Sequence, residues 1–295
     1  MTMQFSRIVY VELYKVFRKP RTYIAFMAIA AIVGLIQLGF YADGDNYIQF
    51  GMQSLSDSFD IGGDVLNGYL MAYIILQTIL MQVPLLIALV SGDMISGEAN
   101  LGTLRLLVTK PVSRTMLIVA KYTASNIYTI ILLIWMAIWS LGISVLVFGA
   151  NDMLILKSEQ VTQILASDVM WRYIAAFAYA CLAMITVSAL AFFLSLFAEN
   201  SIGPIMATMS IIIVFTILNT LDLPIFSGIK PFLFTSHMLG WKGFFDVKLN
   251  ADNEQIIGSI ENIRTVLISA SILLLHTLGF LFASIIVFKK KDILS

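Results

Sequence analysis

Apolar residues fall in six runs near 22–41, 69–90, 116–148, 173–198, 205–221 and 266–288. A membrane-spanning helix takes roughly 17–25 mostly apolar residues, so each run reads as one crossing. The third run is too long for an upright helix that rises about 1.5 Å per residue. Lys121 and Asn126 in its first turns set its start at the cytosolic edge. The fifth run is the shortest.

The stretch before the first run has a different period. Phe5, Ile8, Val9, Leu13, Val16 and Phe17 recur at helical spacing, with Arg7, Lys15 and Arg18 elsewhere on the wheel. This predicts an amphipathic helix lying in the interface over 1–21, ended by Pro20. No small-residue cleavage site closes a short apolar segment there, so the first span is expected to be retained. The fold class expected is an all-α integral membrane protein. One transmembrane domain over 22–295 carries six helices and follows the interfacial helix.

An even number of spans puts both termini on one side. With the N-terminus in the cytosol, inner segments hold 12 of the 18 Lys and Arg, and outer segments hold 13 of the 18 Asp and Glu. Positive residues collect on the cytoplasmic side, so the orientation expected is N-in, C-in. Outer segments then lie at about 42–68, 149–172 and 222–265. The first is acidic and glycine-rich but lacks the spacing of an EF-hand, and it reads as a solvated loop. The third carries Phe232, Phe234, Trp241, Phe244 and Phe245 with two prolines, which suggests a piece in or dipping into the outer interface.

Composition agrees with this pattern. Apolar residues make up 59% of the chain and charged residues 12%, and mean hydropathy is +0.91. Soluble domains carry about 45–50% apolar and roughly 25% charged residues. The formal net charge is zero, which argues against a nucleic-acid binder. The single cysteine, Cys181, permits no intramolecular disulfide and no cysteine metal cluster; it reads as a packing residue.

Catalytic motifs are missing. There is no H-E-x-x-H, no G-x-G-D or G-x-S-G of intramembrane proteases, and no G-x-x-x-x-G-K-[ST] phosphate loop. The chain is not expected to be an enzyme, to bind metal or to hold a cofactor. Three polar residues inside spans are candidates for a substrate path: Gln77, Gln82 and His276. An intramembrane ionisable group invites a functional reading, but His276 has no acid in its span, and hydrogen bonding across helices would also account for all three.

The longest internal cytosolic segment, 91–114, is the most informative. Gly102 and Thr103 are suited to break the chain and start a short helix capped by the Thr103 hydroxyl. Leu104, Leu106 and Leu107 follow, and Pro111 stops the helix. Exposed leucines in the cytosol call for a partner surface. Asp93, Glu98, Gly102-Thr103-Leu104, Leu106-Leu107, Pro111-Val112-Ser113-Arg114 and Lys121 resemble the signature of type-2 ABC transporter permeases. The interfacial helix, six spans, large outer segment before the last span and basic tail extend that resemblance along the chain.

The resemblance implies the membrane half of an exporter. It implies pairing with a second permease subunit, identical or different, usually through the first and fifth spans. It also implies docking on a separate ATPase subunit that holds ATP and magnesium. By position, Gly102, Thr103, Leu104, Leu107 and Pro111 would belong to the coupling helix that meets the ATPase. Glu98 would stand at its start, Arg114 and Lys121 would anchor the third span, and Glu199 would make a smaller second contact. Membrane lipids are the remaining partner, and a bacterial inner membrane is the expected location. Two other readings compete. One is an ion-gradient-driven secondary transporter, which needs charged or discontinuous helices at mid-membrane. The other is a membrane scaffold that docks an ATPase for envelope work other than transport.

Overall fold

The computed structural model describes residues 2–52, 66–103, 112–157, 160–221, 223–248, 250 and 255–291. Helix α1 (Thr2–Arg18) is followed at once by α2 (Pro20–Met52). Pro20 stands at the start of α2, where its fixed φ suits a helix and its missing N–H costs nothing. The spacing-based expectation of a break at this proline therefore holds. α2 is kinked at Asp43, whose φ of −147° is not helical.

The second apolar run is not one helix. It forms α3 (Gly68–Ile79) and α4 (Val83–Ser91), bent by 52° across three intervening residues. Pro84 in the first turn of α4 explains why the helix restarts there. A short α5 (Asp93–Asn100) continues from α4. The third run is α6 (Arg114–Ala137), a π-helical stretch over Ile138–Ile143, and α7 (Ser144–Phe148). The Ser113 hydroxyl caps α6 by accepting the Met116 N–H. Where the π stretch shifts the register, Ser144 N–H bonds Leu141 O. Gln37 of α2 donates to Trp139 O and to Ser144 Oγ, both at 2.9 Å.

Two strands, β1 (Met153–Lys157) and β2 (Gln160–Ile164), pair antiparallel with Met153 opposite Ile164. The run-length reading did not anticipate this hairpin, so the all-α class needs that small correction. Then come α8 (Ala166–Ser195), α9 (Ile202–Thr220), a chain of short helical turns including α10 (Phe234–His237), and α11 (Ile263–Lys290). Five helices are long and apolar enough to cross a membrane, and the bent pair α3–α4 passes the same test taken together. The molecule is a multi-pass membrane protein on that evidence.

α8 is the central helix. Its apolar stretch is 67% buried, against 17–28% for the other four. It packs against α4, α6, α9 and α11. Between α4, α6 and α8 the hydroxyls of Ser91, Ser125 and Ser188 form a buried triangle with sides of 2.7, 2.9 and 3.0 Å. Each hydroxyl can donate once and accept once around such a ring, so no polar group is stranded in the apolar interior.

The aromatic outer segment packs inward more than the composition suggested. Phe234, Trp241 and Phe245 are buried, and Tyr73 of α3 meets the rings of Trp241 and Phe245 at 5.4 and 5.2 Å. Phe244 is half-buried, and only Phe232 of the five is exposed. A polar knot ties this segment to α8. Arg172 lies fully buried, donates to Asp168 Oδ2, and reaches Phe244 O at 2.6 Å and Ser259 O at 2.7 Å. Asp168 also accepts from Trp171, Gln255 and the Gly258 N–H.

Candidate coupling site

The inner end of the bundle gathers an ionic network around α5. Glu98 and Asp93, one near each end of that helix, supply carboxylates to groups from four other parts of the chain. The half around Glu98 has four members. Lys121 of α6 lies 2.7 Å from Glu12 Oε2 and 2.8 Å from Glu98 Oε1. Its ammonium also reaches Met94 O at 3.4 Å. Three acceptors match the three donors of an ammonium. Lys15 bridges the same two acids, at 2.8 Å from Glu12 and 2.9 Å from Glu98.

Burial makes this arrangement consequential. The side chains of Lys121, Glu12 and Glu98 are 1%, 4% and 12% exposed. Desolvation of two buried carboxylates is offset here by two ammonium groups. A buried pair of this kind contributes little net stability, but removal of one member costs roughly 3–5 kcal/mol, because a buried charge is left alone. Burial by itself raises the Glu12 pKa, and Lys121 and Lys15 outweigh it, so Glu12 titrates below its ordinary value of 4.5. Burial lowers the Lys15 pKa, and Glu12 and Glu98 reverse this, so Lys15 titrates above its ordinary 10.5. The second oxygen of Glu98 is buried and has no hydrogen-bond partner among the described residues.

The half around Asp93 joins different elements. Lys19, in the α1–α2 joint, lies 2.6 Å from Asp93 Oδ2. Arg21 of α2 pairs with the same oxygen, and Ser201, just before α9, donates to Oδ1. The carboxylate lies over Gly97, one turn on, where an added Cβ would collide with it. Glycine there leaves room for the acid to fold back along its own helix.

α5 ends in a defined way. Gly102 has φ +67°, Gly102 N–H bonds Ala99 O, and Thr103 N–H bonds Glu98 O, both at 3.0 Å. This pair of bonds is the Schellman arrangement, which favours glycine in the left-handed position. The Thr103 hydroxyl donates back to Glu98 O at 3.3 Å. Gly102 and Thr103 thus close the helix before them. Whether they also open one concerns Leu104, Leu107 and Pro111, which lie outside the described residues.

Other residues singled out in the sequence fall elsewhere. Arg114 donates to Lys289 O at 3.1 Å and Lys291 O at 3.0 Å, capping the last carbonyls of α11. Lys291 in turn reaches Leu196 O, at the end of α8, at 2.6 Å. Glu199 is exposed in the turn before α9. His276 bonds Ile272 O of its own helix at 2.9 Å and touches the rings of Phe234 and Phe280. That differs from the bond across helices that a buried imidazole suggested. Gln77 and Gln82 flank the break in the second span and are exposed.

The pattern reading missed Glu12, which stands on the apolar face of α1 between Val9 and Val16. An acid on an apolar stripe demands a partner, and that signal was available. Lys19, Arg21 and Ser201 carried no such signal.

A family model matches residues 29–294. The chain belongs to the DUF2705 family. That family is described as a protein of unknown function. The comparison with characterised proteins found no match.

Proposed function

We propose that this chain is the membrane-spanning permease subunit of an ATP-driven transporter, an exporter by its resemblance, docked on a separate ATPase through the 91–114 loop. The observation that carries this reading is the network around α5. A short cytosolic helix between the second and third spans is held by Glu98 to α1 and α6, and by Asp93 to α2 and the turn before α9. Force applied at its Gly102 end would reach four elements through ionic contacts rather than through one flexible linker. The unpartnered oxygen of Glu98 sits at the same end.

In this reading α3 and α4 form one broken span. Six spans then cross with both termini in the cytosol, and the membrane is a bacterial inner membrane. ATP and magnesium belong to the partner ATPase, and this chain performs no catalysis. ATP binding would draw two ATPase subunits together and move the coupling helices. The permease would respond only through contacts that differ between its two states.

The test is to purify an affinity-tagged copy in mild detergent and to assay ATP hydrolysis by what accompanies it. Glu98→Ala is the comparison. A copurifying ATPase that dissociates or loses transport coupling in the variant supports the reading. A variant with wild-type association and transport removes the coupling assignment.

One observation favours a second reading. The second span is discontinuous, with Gln77 and Gln82 beside the break, a feature of ion-coupled secondary transporters. Ion-dependent uptake by the purified chain alone, with no ATPase, would select it.

A further inference from the structure

The break in the second span leaves polar groups in an unexpected place. α3 rises about 18 Å over its twelve residues, so its end lies near the middle of a hydrocarbon layer roughly 30 Å thick. Gln77, Thr78, Met81, Gln82 and Leu85 are all exposed around that break. Thr78 returns its hydroxyl to Ile74 O at 2.9 Å. The side-chain amides of Gln77 and Gln82 make no hydrogen bond among the described residues. An amide facing acyl chains has no water to satisfy it and is costly to leave unpaired. These two side chains therefore mark a face that is not turned to lipid.

The chemistry of the face narrows its occupant. A primary amide carries both a donor and an acceptor, so two of them face to face form a pair with two hydrogen bonds. No charged group accompanies the two glutamines at the break, so nothing there selects a charged partner. Two copies inserted the same way round are related by an axis along the membrane normal, which keeps every residue at its own depth. Gln77 then meets Gln77 of the second copy, and Gln82 meets Gln82. Such a contact is isologous, the commonest form of pairing. On either flank α4 packs against α2 and α9, whose outward Met27, Leu35, Met206 and Ile213 are exposed apolar residues that supply close packing in lipid.

We propose that a second copy of this chain docks on the face around the second-span break, pairing Gln77 and Gln82 each with its own counterpart. This names the partner within the reading above. It rests on the membrane-spanning architecture of that reading and not on ATPase docking.

The single cysteine makes the test direct. In a Cys181→Ser background, Gln77→Cys and Gln82→Cys are introduced one at a time into the full chain and oxidised in native membranes. Leu275→Cys on the exposed side of α11 is the control. The expected result is a covalent dimer from each glutamine position, several-fold above the control. Two differently tagged wild-type copies should also copurify, and the double change Gln77→Leu with Gln82→Leu should reduce that recovery. Absence of dimer overturns the proposal in either of two ways. Labelling of the cysteines by a membrane-impermeant maleimide would assign the face to an aqueous path. Protection from it would assign the face to lipid or to a different subunit. Failure here alongside a copurifying ATPase would discard this pairing alone, and the converse result would discard the ATPase reading alone.

Discussion

Lys121 Nζ and Glu12 Oε2 lie 2.7 Å apart although 109 residues separate them in sequence, and both side chains are buried. The contact pins the amphipathic helix α1 to the third span at the depth where α5 arrives with Glu98. Lys121→Met removes the ammonium but keeps much of the side-chain length. It should destabilise the protein by roughly 3–5 kcal/mol, because Glu12 and Glu98 are left buried without that cation. Adding Glu12→Gln should recover part of the loss. Thermal unfolding of the four combinations in detergent measures the coupling. Strictly additive losses would mean that the two residues act separately.

Acid should loosen the same contact. Glu12 titrates below its ordinary 4.5, so the folded state holds its proton less tightly than the unfolded chain. The stability this contributes is present above 4.5 and is lost as pH falls through the lowered folded value. Lys15 titrates above 10.5, so its contribution is complete below that value and is lost as pH rises through the raised one. The melting temperature should therefore decline below about pH 4.5, and Glu12→Gln should flatten that acid limb while leaving the alkaline limb in place. An unchanged acid limb in the variant would assign it to other carboxylates.

On the outer side, Arg172 is the only donor drawn between Asp168, Phe244 O and Ser259 O. Arg172→Met should leave a buried carboxylate and two carbonyls short of partners, with a loss of several kcal/mol. The outer segment 244–259 should detach before the spans do. Limited proteolysis from the outer face should cut the variant faster within that segment, with α8 and α11 left intact. Equal cleavage in both proteins would contradict the knot.

Gly102 is the most economical place to disturb the loop without touching a charge. Alanine at φ +67° should cost about 1 kcal/mol, the order of magnitude for a side chain forced into the left-handed region. The change is small for folding, but it redirects the chain that leaves α5. ATPase association should fall more than the melting temperature does. A variant that loses only melting temperature would make Gly102 a structural terminator with no part in docking.

Much of the architecture was legible because lipid imposes a simple rule: long apolar runs become helices. The positions of α2, α6, α8, α9 and α11 follow their runs closely. The break in the second span depended on Pro84, which can either start a helix or kink one, and the pattern alone does not choose. The hairpin at Met153–Ile164 was hidden because its strands are short and sit in a segment with no strong alternation. The inward packing of Trp241 and Phe245 escaped notice because aromatic residues suit a membrane interface and a core equally well. At the candidate site, Glu98 and Lys121 stood out through a remembered spacing in the loop, whereas their shared partner Glu12 is distant in sequence. Ionic partners that meet only on folding leave no periodic trace.

The central claim is that α5 and the loop after it transmit force from a separate ATPase. The most direct measurement is ATP hydrolysis and transport by the complex that copurifies with the tagged wild-type chain, against the same preparation carrying Glu98→Ala. The account predicts a copurifying ATPase whose association or coupling to transport drops in the variant while the spans remain folded. A well-folded wild-type preparation with no ATPase and no hydrolysis would contradict it.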